Sequence, residues 1–232
     1  MKGLLLRVRT RSKVQDYRFV GAQPADRWWE ARYGRWTDFS RPTVIVEPGQ
    51  FFISGIASTR TDSKGSGIHY ALLGEFTTPE GASAAARLVT WVCEQLPGTP
   101  RLPEVGERLD QVSEEIWAAA MNSEPKAKEE VASVLASLLA RPVDTDPAPP
   151  RYEEWVCEAG TVGFKELAIT AGLVMAKKAG LAAYLNLASA DELSSLRSRD
   201  KPFGLVCREG PDRPKPFASH CGGRSSRSQD SR

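Results

Sequence analysis

The chain has 232 residues, 41% of them hydrophobic and 26% charged, with a net charge of +2. That composition belongs to a folded globular protein and excludes a wholly disordered chain. No run approaches the ~20 apolar residues of a membrane-spanning helix, and the three leucines near the N-terminus are too few for a signal peptide.

The charge is unevenly spread. Residues 1–70 carry 12 Lys/Arg against 6 Asp/Glu, residues 71–196 carry 10 against 19, and residues 197–232 carry 9 against 4. A basic start, an acidic middle and a basic tail favour docking to another charged protein, because such fields steer encounter. The basic ends also allow nucleic acid as a partner, although a near-neutral total does not call for it. Composition fixes no oligomeric state. Cys93, Cys157, Cys207 and Cys221 form no CxxC and read as free thiols in a reducing compartment, so a cytoplasmic location is expected. Arginine- and alanine-rich usage points to a bacterial source.

Taken in order, Gly3–Arg11 alternates Leu4, Leu6 and Val8 on one face with Leu5, Arg7 and Arg9 on the other, which predicts a half-buried strand. Tyr17–Gly21 reads as a second strand, and Ala25–Trp36 as aromatic-rich chain with room for a helical turn. Thr43–Glu47 is a third strand, stopped by Pro48-Gly49. Phe51–Ala57 and Ile68–Phe76 are two more, flanking a polar loop over Ser58–Gly67. Thr78 caps a helix with Pro79 in its first turn. A second helix spans about Glu104–Met121, and Ser123 caps a third. Residues 141–151 are rich in proline and predict a linker. A strand over Tyr152–Cys157, a helix from Thr161 closed by Gly180, a strand over Leu181–Leu187, a short helix from Ser189 to Arg197 and a strand over Phe203–Cys207 complete a small α/β pattern. The last residues, from Gly210, read as disordered.

The expected fold is therefore α+β. Residues 1–76 form a mostly antiparallel sheet, 77–140 a helical layer packed on it, 141–151 a linker, 152–209 a small α/β part, and 210–232 a disordered basic tail. Whether the two β-containing parts share one sheet is left open.

Three stretches have the composition of a site. The Ser58–Gly67 loop combines Arg60 and Lys64 with the Ser63 hydroxyl and with Gly65 and Gly67, groups that bind phosphate or another anion. No catalytic residue is expected, but in a reading where this loop processes a phosphorylated ligand, Asp62 within it or His69 just after it would handle protons. The same residues also serve a long hairpin connection, and the lysine precedes the glycines, unlike a P-loop. Gly160-Thr161-Val162-Gly163-Phe164-Lys165 places Thr161 and Lys165 at a helix N-terminus, a second anion-binding arrangement that ordinary capping by Thr161 also explains. Trp28, Trp29, Arg32, Tyr33 and Trp36, with Arg27 and Arg35 among them, fit an aromatic core, a protein interface or a base-stacking surface, in that order.

Metal binding is not expected, since His220-Cys221 offers two ligands and no third, and no cofactor is expected. The Glu75/Glu80 and Glu153/Glu154 pairs read as solvated charge. The functional expectation is a non-catalytic protein-binding or adaptor module, an accessory component of a bacterial signalling or defence assembly. The alternative is a protein that binds or processes a phosphorylated ligand, nucleotide or nucleic acid, through residues 58–69.

Overall fold

The computed structural model describes residues 3–21, 23–24, 27–33, 42–95, 103–140, 154–176, 183–187, 204–208 and 210–217. The alternation of Leu4–Thr10 produces the first strand, β1, with Val8 fully buried and Leu5 outward. A short β2 (Arg18–Phe19) lies along its far end, with α1 (Trp28–Tyr33) following. The β-branched run Thr43–Glu47 forms β3, and Gly49 (φ 89°) turns it back into β4 (Gln50–Thr61). β4 continues into β5 (Gly67–Phe76), which pairs antiparallel with β4 on one side and β1 on the other.

The chain then turns helical. Thr78 accepts a hydrogen bond from the Gly81 amide at 3.1 Å and caps α2 (Pro79–Gln95), as its sequence predicts. The expected second helix is two: α3 (Pro103–Leu109) and α4 (Glu114–Met121). Ser113 divides them, because its hydroxyl accepts from the Ile116 amide and starts a new helix with Glu114 and Glu115 in its first turn. The third helix, α5 (Pro125–Leu139), has Glu124 rather than Ser123 at its N-cap position, with no side-chain cap bond. Ser123 instead takes a positive φ of 71° in the turn before it.

The two β-containing parts do share a sheet. β6 (Trp155–Glu158), β7 (Ala183–Leu187), β8 (Gly204–Cys207) and β9 (Lys215–Pro216) extend the first five strands into one nine-stranded sheet of order β2-β1-β5-β4-β3-β7-β8-β6-β9. It is antiparallel from β2 to β7 and parallel across β7, β8 and β6. The antiparallel strands and the helices together make an α+β fold. The helix α6 (Thr161–Met175) crosses from β6 to β7 over β8, and its Thr170 hydroxyl accepts from the buried Trp155 indole at 3.1 Å. β9 closes the edge antiparallel to β6, and Phe217 beyond it is buried. Ordered chain therefore runs past Gly210, where the sequence predicts disorder. Tail residues 218–232, the linker at 141–151 and the helix expected at 189–197 lie outside the described residues.

Both faces of the sheet are covered. On one, α2 and α6 pack together over Val8, Val44, Phe51, Ile53 and Leu72, with α3, α4 and α5 against them. On the other, Trp28 and Trp29 of α1 close over Phe19, Ile45, Phe52, Leu205 and Phe217. Burial of this apolar surface is the main driving term, about 25 cal/mol per Å².

Candidate functional site

The central hairpin differs from its expected form in a way that decides its chemistry. Ser58–Thr61 are strand, so the loop is only Asp62–Ser66. β4 carries two bulges against β5. Gly55 (φ 73°) sits in the first, and Ser58, Thr59 and Arg60 form the second, where Ala57 pairs with His69 and Thr61 with Gly67. Bulges bend a strand and re-aim its side chains. Here they turn Ser58, Thr59 and Arg60 toward α3 and α4.

Asp110, at the end of α3, receives them. It accepts from the Ser58 hydroxyl at 2.6 Å, the Thr59 amide at 2.7 Å, the Thr59 hydroxyl at 2.8 Å and the Tyr70 hydroxyl at 2.7 Å. Burial opposes the Asp110 charge, and these donors more than offset it, holding the carboxyl below its ordinary range. Arg60 completes the cluster. It donates to Glu114 from Nη2 at 2.6 Å and Nε at 3.1 Å, to the Arg11 carbonyl at 2.8 Å and to Tyr70 at 3.1 Å. Its guanidinium also lies over the Tyr70 and Trp117 rings. Burial works against this charge too, but Tyr70 and Glu114 raise its pKa overall. The cluster is a clamp between sheet and helices, and its donors and acceptors face one another.

The phosphate set is therefore divided. Arg60 lies with Tyr70 on the helical face. His69, the residue before Tyr70 on β5, points to the opposite face. Asp62 organises the loop: its Oδ1 accepts from the Lys64 and Ser66 amides at 2.8 Å each, and Arg11 lies 3.1 Å from Oδ2. The Ser66 amide first, then that of Lys64, holds its carboxyl below the usual range. Ser63, Lys64, Gly65 and Gly67 are exposed, and Gly65 supplies the positive φ (81°) of the turn. Sequence reasoning missed Asp110, Glu114, Tyr70 and Trp117, although Ser113-Glu114-Glu115 carried a legible cap signal.

At the second candidate, Gly160 rather than Thr161 precedes the helix and makes no side-chain cap bond. Thr161 and Lys165 are exposed on the first turns of α6. A Cβ on Gly163 would overlap the Glu158 carbonyl, so this glycine is set by close packing of α6 on β6. Of the aromatic set, Trp28 and Trp29 are core. Trp29 stacks on Phe52 with ring centroids 5.2 Å apart and meets Phe19 edge-on at 5.5 Å. The side chains of Arg32 and Tyr33, and all of Trp36, lie outside the described residues.

Two arginines of the basic N-terminal stripe are ion-paired within the fold, and two lie over an aromatic ring. Arg7 pairs with Glu75, Arg11 with Asp62, and the Arg9 and Arg11 guanidinium groups lie 5.3 and 5.7 Å from the Tyr17 ring centroid. Among the described residues no group of three or more His, Cys, Asp or Glu is placed to hold a metal, and no helix is long and apolar enough to cross a membrane. Cys93, Cys157 and Cys207 are buried free thiols, and burial pushes Cys93 up to about 12 and Cys157 up to about 11.

Among the described residues, one side of β1 is left open. β2 pairs with β1 only at Arg9 and Thr10, and the Val20 amide donates to the Val8 carbonyl at 2.9 Å. Bonding direction alternates along a strand, so Leu5, Arg7 and Arg9 bond to β5, while Leu4 and Leu6 turn their N–H and C=O groups away from it. Among the described residues no strand pairs alongside Leu4–Arg7. Leu5 is 54% exposed there, beside the Arg7–Glu75 pair. The start of β1 is held firmly, since Gly3 packs on Thr78 and Gly81 with no room for a Cβ at Gly81. The chain matches no protein-family model, no curated protein and no solved structure.

Proposed function

We propose that the protein is a non-catalytic module that binds another polypeptide, and that the open side of β1 is where a partner strand joins the sheet. The observation that carries this reading is the pairing of outward Leu4 and Leu6 backbone groups with an exposed Leu5. Sheet edges are ordinarily blunted by lysine, proline or bulges that discourage pairing. This one is three consecutive leucines, and its nearest charge, Arg7, is occupied by Glu75. An edge of that kind recognises an extended segment by main-chain hydrogen bonds, with alternate side chains adding specificity. Packing of Gly3 against α2 fixes the strand before binding, which lowers the ordering cost.

Amide hydrogen exchange tests this with synthetic ten-residue peptides that alternate apolar and polar residues. Binding should protect the Leu4 and Leu6 amides, and Leu5→Lys should weaken it at least ~10-fold by placing a charge on the edge. Peptides that bind with equal affinity to the Leu5→Lys protein, or that leave both amides unprotected, would overturn the reading.

A further inference from the structure

We infer that the strand received at this edge is β1 of a second copy, paired antiparallel about a twofold axis at Leu5. The inference rests on the reading of β1 as a binding edge and names its occupant. Among the described residues, only Leu4 and Leu6 point bonding groups outward before β2 takes over at Val8. Their midpoint is Leu5. An antiparallel copy centred there sets each Leu4 opposite the other copy's Leu6, with both residues' N–H and C=O groups facing across, for about four backbone hydrogen bonds.

Other registers fail. A shift of the axis toward the C-terminus brings in Val8, whose carbonyl already accepts from Val20. A shift toward the N-terminus carries Leu6 past Gly3, whose own φ of 99° lies outside strand geometry. A half-step faces bonding groups against non-bonding ones.

The side chains agree with the same register. Leu5 meets Leu5 of the other copy as a non-hydrogen-bonded pair, the arrangement in which opposed residues approach to about 4.5 Å between Cα atoms. Each Arg7 faces Gly3 of the other copy and stays with its own Glu75, so like charges are not opposed. A twofold contact must be self-complementary in this sense. With one short strand from each copy, the contact falls below the ~1,200 Å² of stable specific interfaces, so the dimer is weak and concentration-dependent.

Cysteine cross-linking tests the geometry, in a Cys221→Ser background because the other three thiols are buried. Under mild oxidation Leu5→Cys should form a disulfide-linked dimer at least ~10-fold faster than Val14→Cys, a control site that is 85% exposed. In sedimentation velocity the average mass of the wild type should rise with concentration, while Leu5→Lys, with unchanged thermal stability, should remain monomeric. Equal cross-linking at positions 5 and 14, or identical sedimentation of wild type and Leu5→Lys, would overturn the second copy as occupant. If peptides still protect Leu4 and Leu6 under those outcomes, the binding edge stands and only its occupant changes. If they do not, both readings fall.

Discussion

The Tyr70 hydroxyl donates to Asp110 at 2.7 Å while Arg60 donates to it at 3.1 Å, so one phenol on β5 joins the bulge of β4 to the end of α3. Burial, the largest influence, raises the pKa of this phenol, which stays protonated as a donor at any ordinary pH. Tyr70→Phe keeps the ring and removes both bonds, leaving Asp110 with Ser58 and Thr59. The expected loss is about 1–2 kcal/mol, read as a lower urea midpoint with an unchanged m-value. An unchanged midpoint would mean that water satisfies these groups equally well.

Arg60 and Lys64 stand four residues apart and should differ sharply in what their loss costs. Arg60→Ala removes the guanidinium from Glu114 Oε2 and from the Arg11 carbonyl, leaving Glu114 the Lys13 amide on Oε1, and should cost about 3 kcal/mol. Lys64→Ala removes an exposed side chain and should stay within about 0.5 kcal/mol. Thermal denaturation of the two single variants separates them. Equal, small effects would show that the Arg60 contacts are not maintained in solution.

The depressed pKa of Asp110 gives the clamp a pH dependence whose sign is fixed. A carboxyl held below its unfolded value of about 3.9 stabilises the fold above that pH and loses the contribution as pH falls through the folded value. Asp62 acts in the same direction. Asp110→Asn should therefore be less stable than wild type at pH 7, with the gap closing below about pH 4. A gap that persists undiminished in acid would place the origin of the effect in geometry rather than charge.

The turn between β3 and β4, the first strand and the cap of α2 were legible because each depends on neighbours in sequence: Pro48-Gly49, the apolar face Leu4, Leu6 and Val8 against Arg7 and Arg9, and Thr78 before Pro79. The second bulge was not legible. It exists because Asp110, some fifty residues away, offers a carboxylate to Ser58 and Thr59. At the break between α3 and α4 the cap signal of Ser113 was outweighed by Val105, Leu109, Val112 and Ile116, whose spacing continues a helical stripe through the turn. The candidate edge was half legible. Alternation placed Leu5 outward, but its freedom depends on β2 covering only the far end of β1.

Gly106 offers a test of how closely α3 lies on β4. Alanine is favoured over glycine in a helix interior by ~1 kcal/mol, so Gly106→Ala would ordinarily stabilise. A Cβ there would overlap the Ala57 carbonyl oxygen, a backbone atom that cannot rotate away. The overlap should win, with a net loss of about 1–3 kcal/mol and a lower thermal midpoint. Gly160→Ala, where a Cβ meets nothing within 4 Å, is the control and should be near neutral. A stabilised Gly106→Ala protein would mean that α3 stands further from the strand.

Phe217 is the sharpest test of the C-terminal boundary. Composition after Gly210 offers almost nothing to bury, and a strand of two residues, Lys215–Pro216, carries no periodic signal. Yet the Phe217 amide donates to the Glu154 carbonyl at 3.1 Å, and its ring is 2% exposed among Trp28, Trp29, Val156 and Leu205. Its burial fixes β9 on β6 and closes the second face of the sheet. Phe217→Ala should cost about 3–5 kcal/mol, the range for emptying a buried aromatic site. Chemical denaturation would show this directly, and truncation after residue 209 should reproduce most of the loss. If both proteins unfold at the wild-type midpoint, the chain beyond Gly210 contributes nothing to the core and the sheet ends at β6.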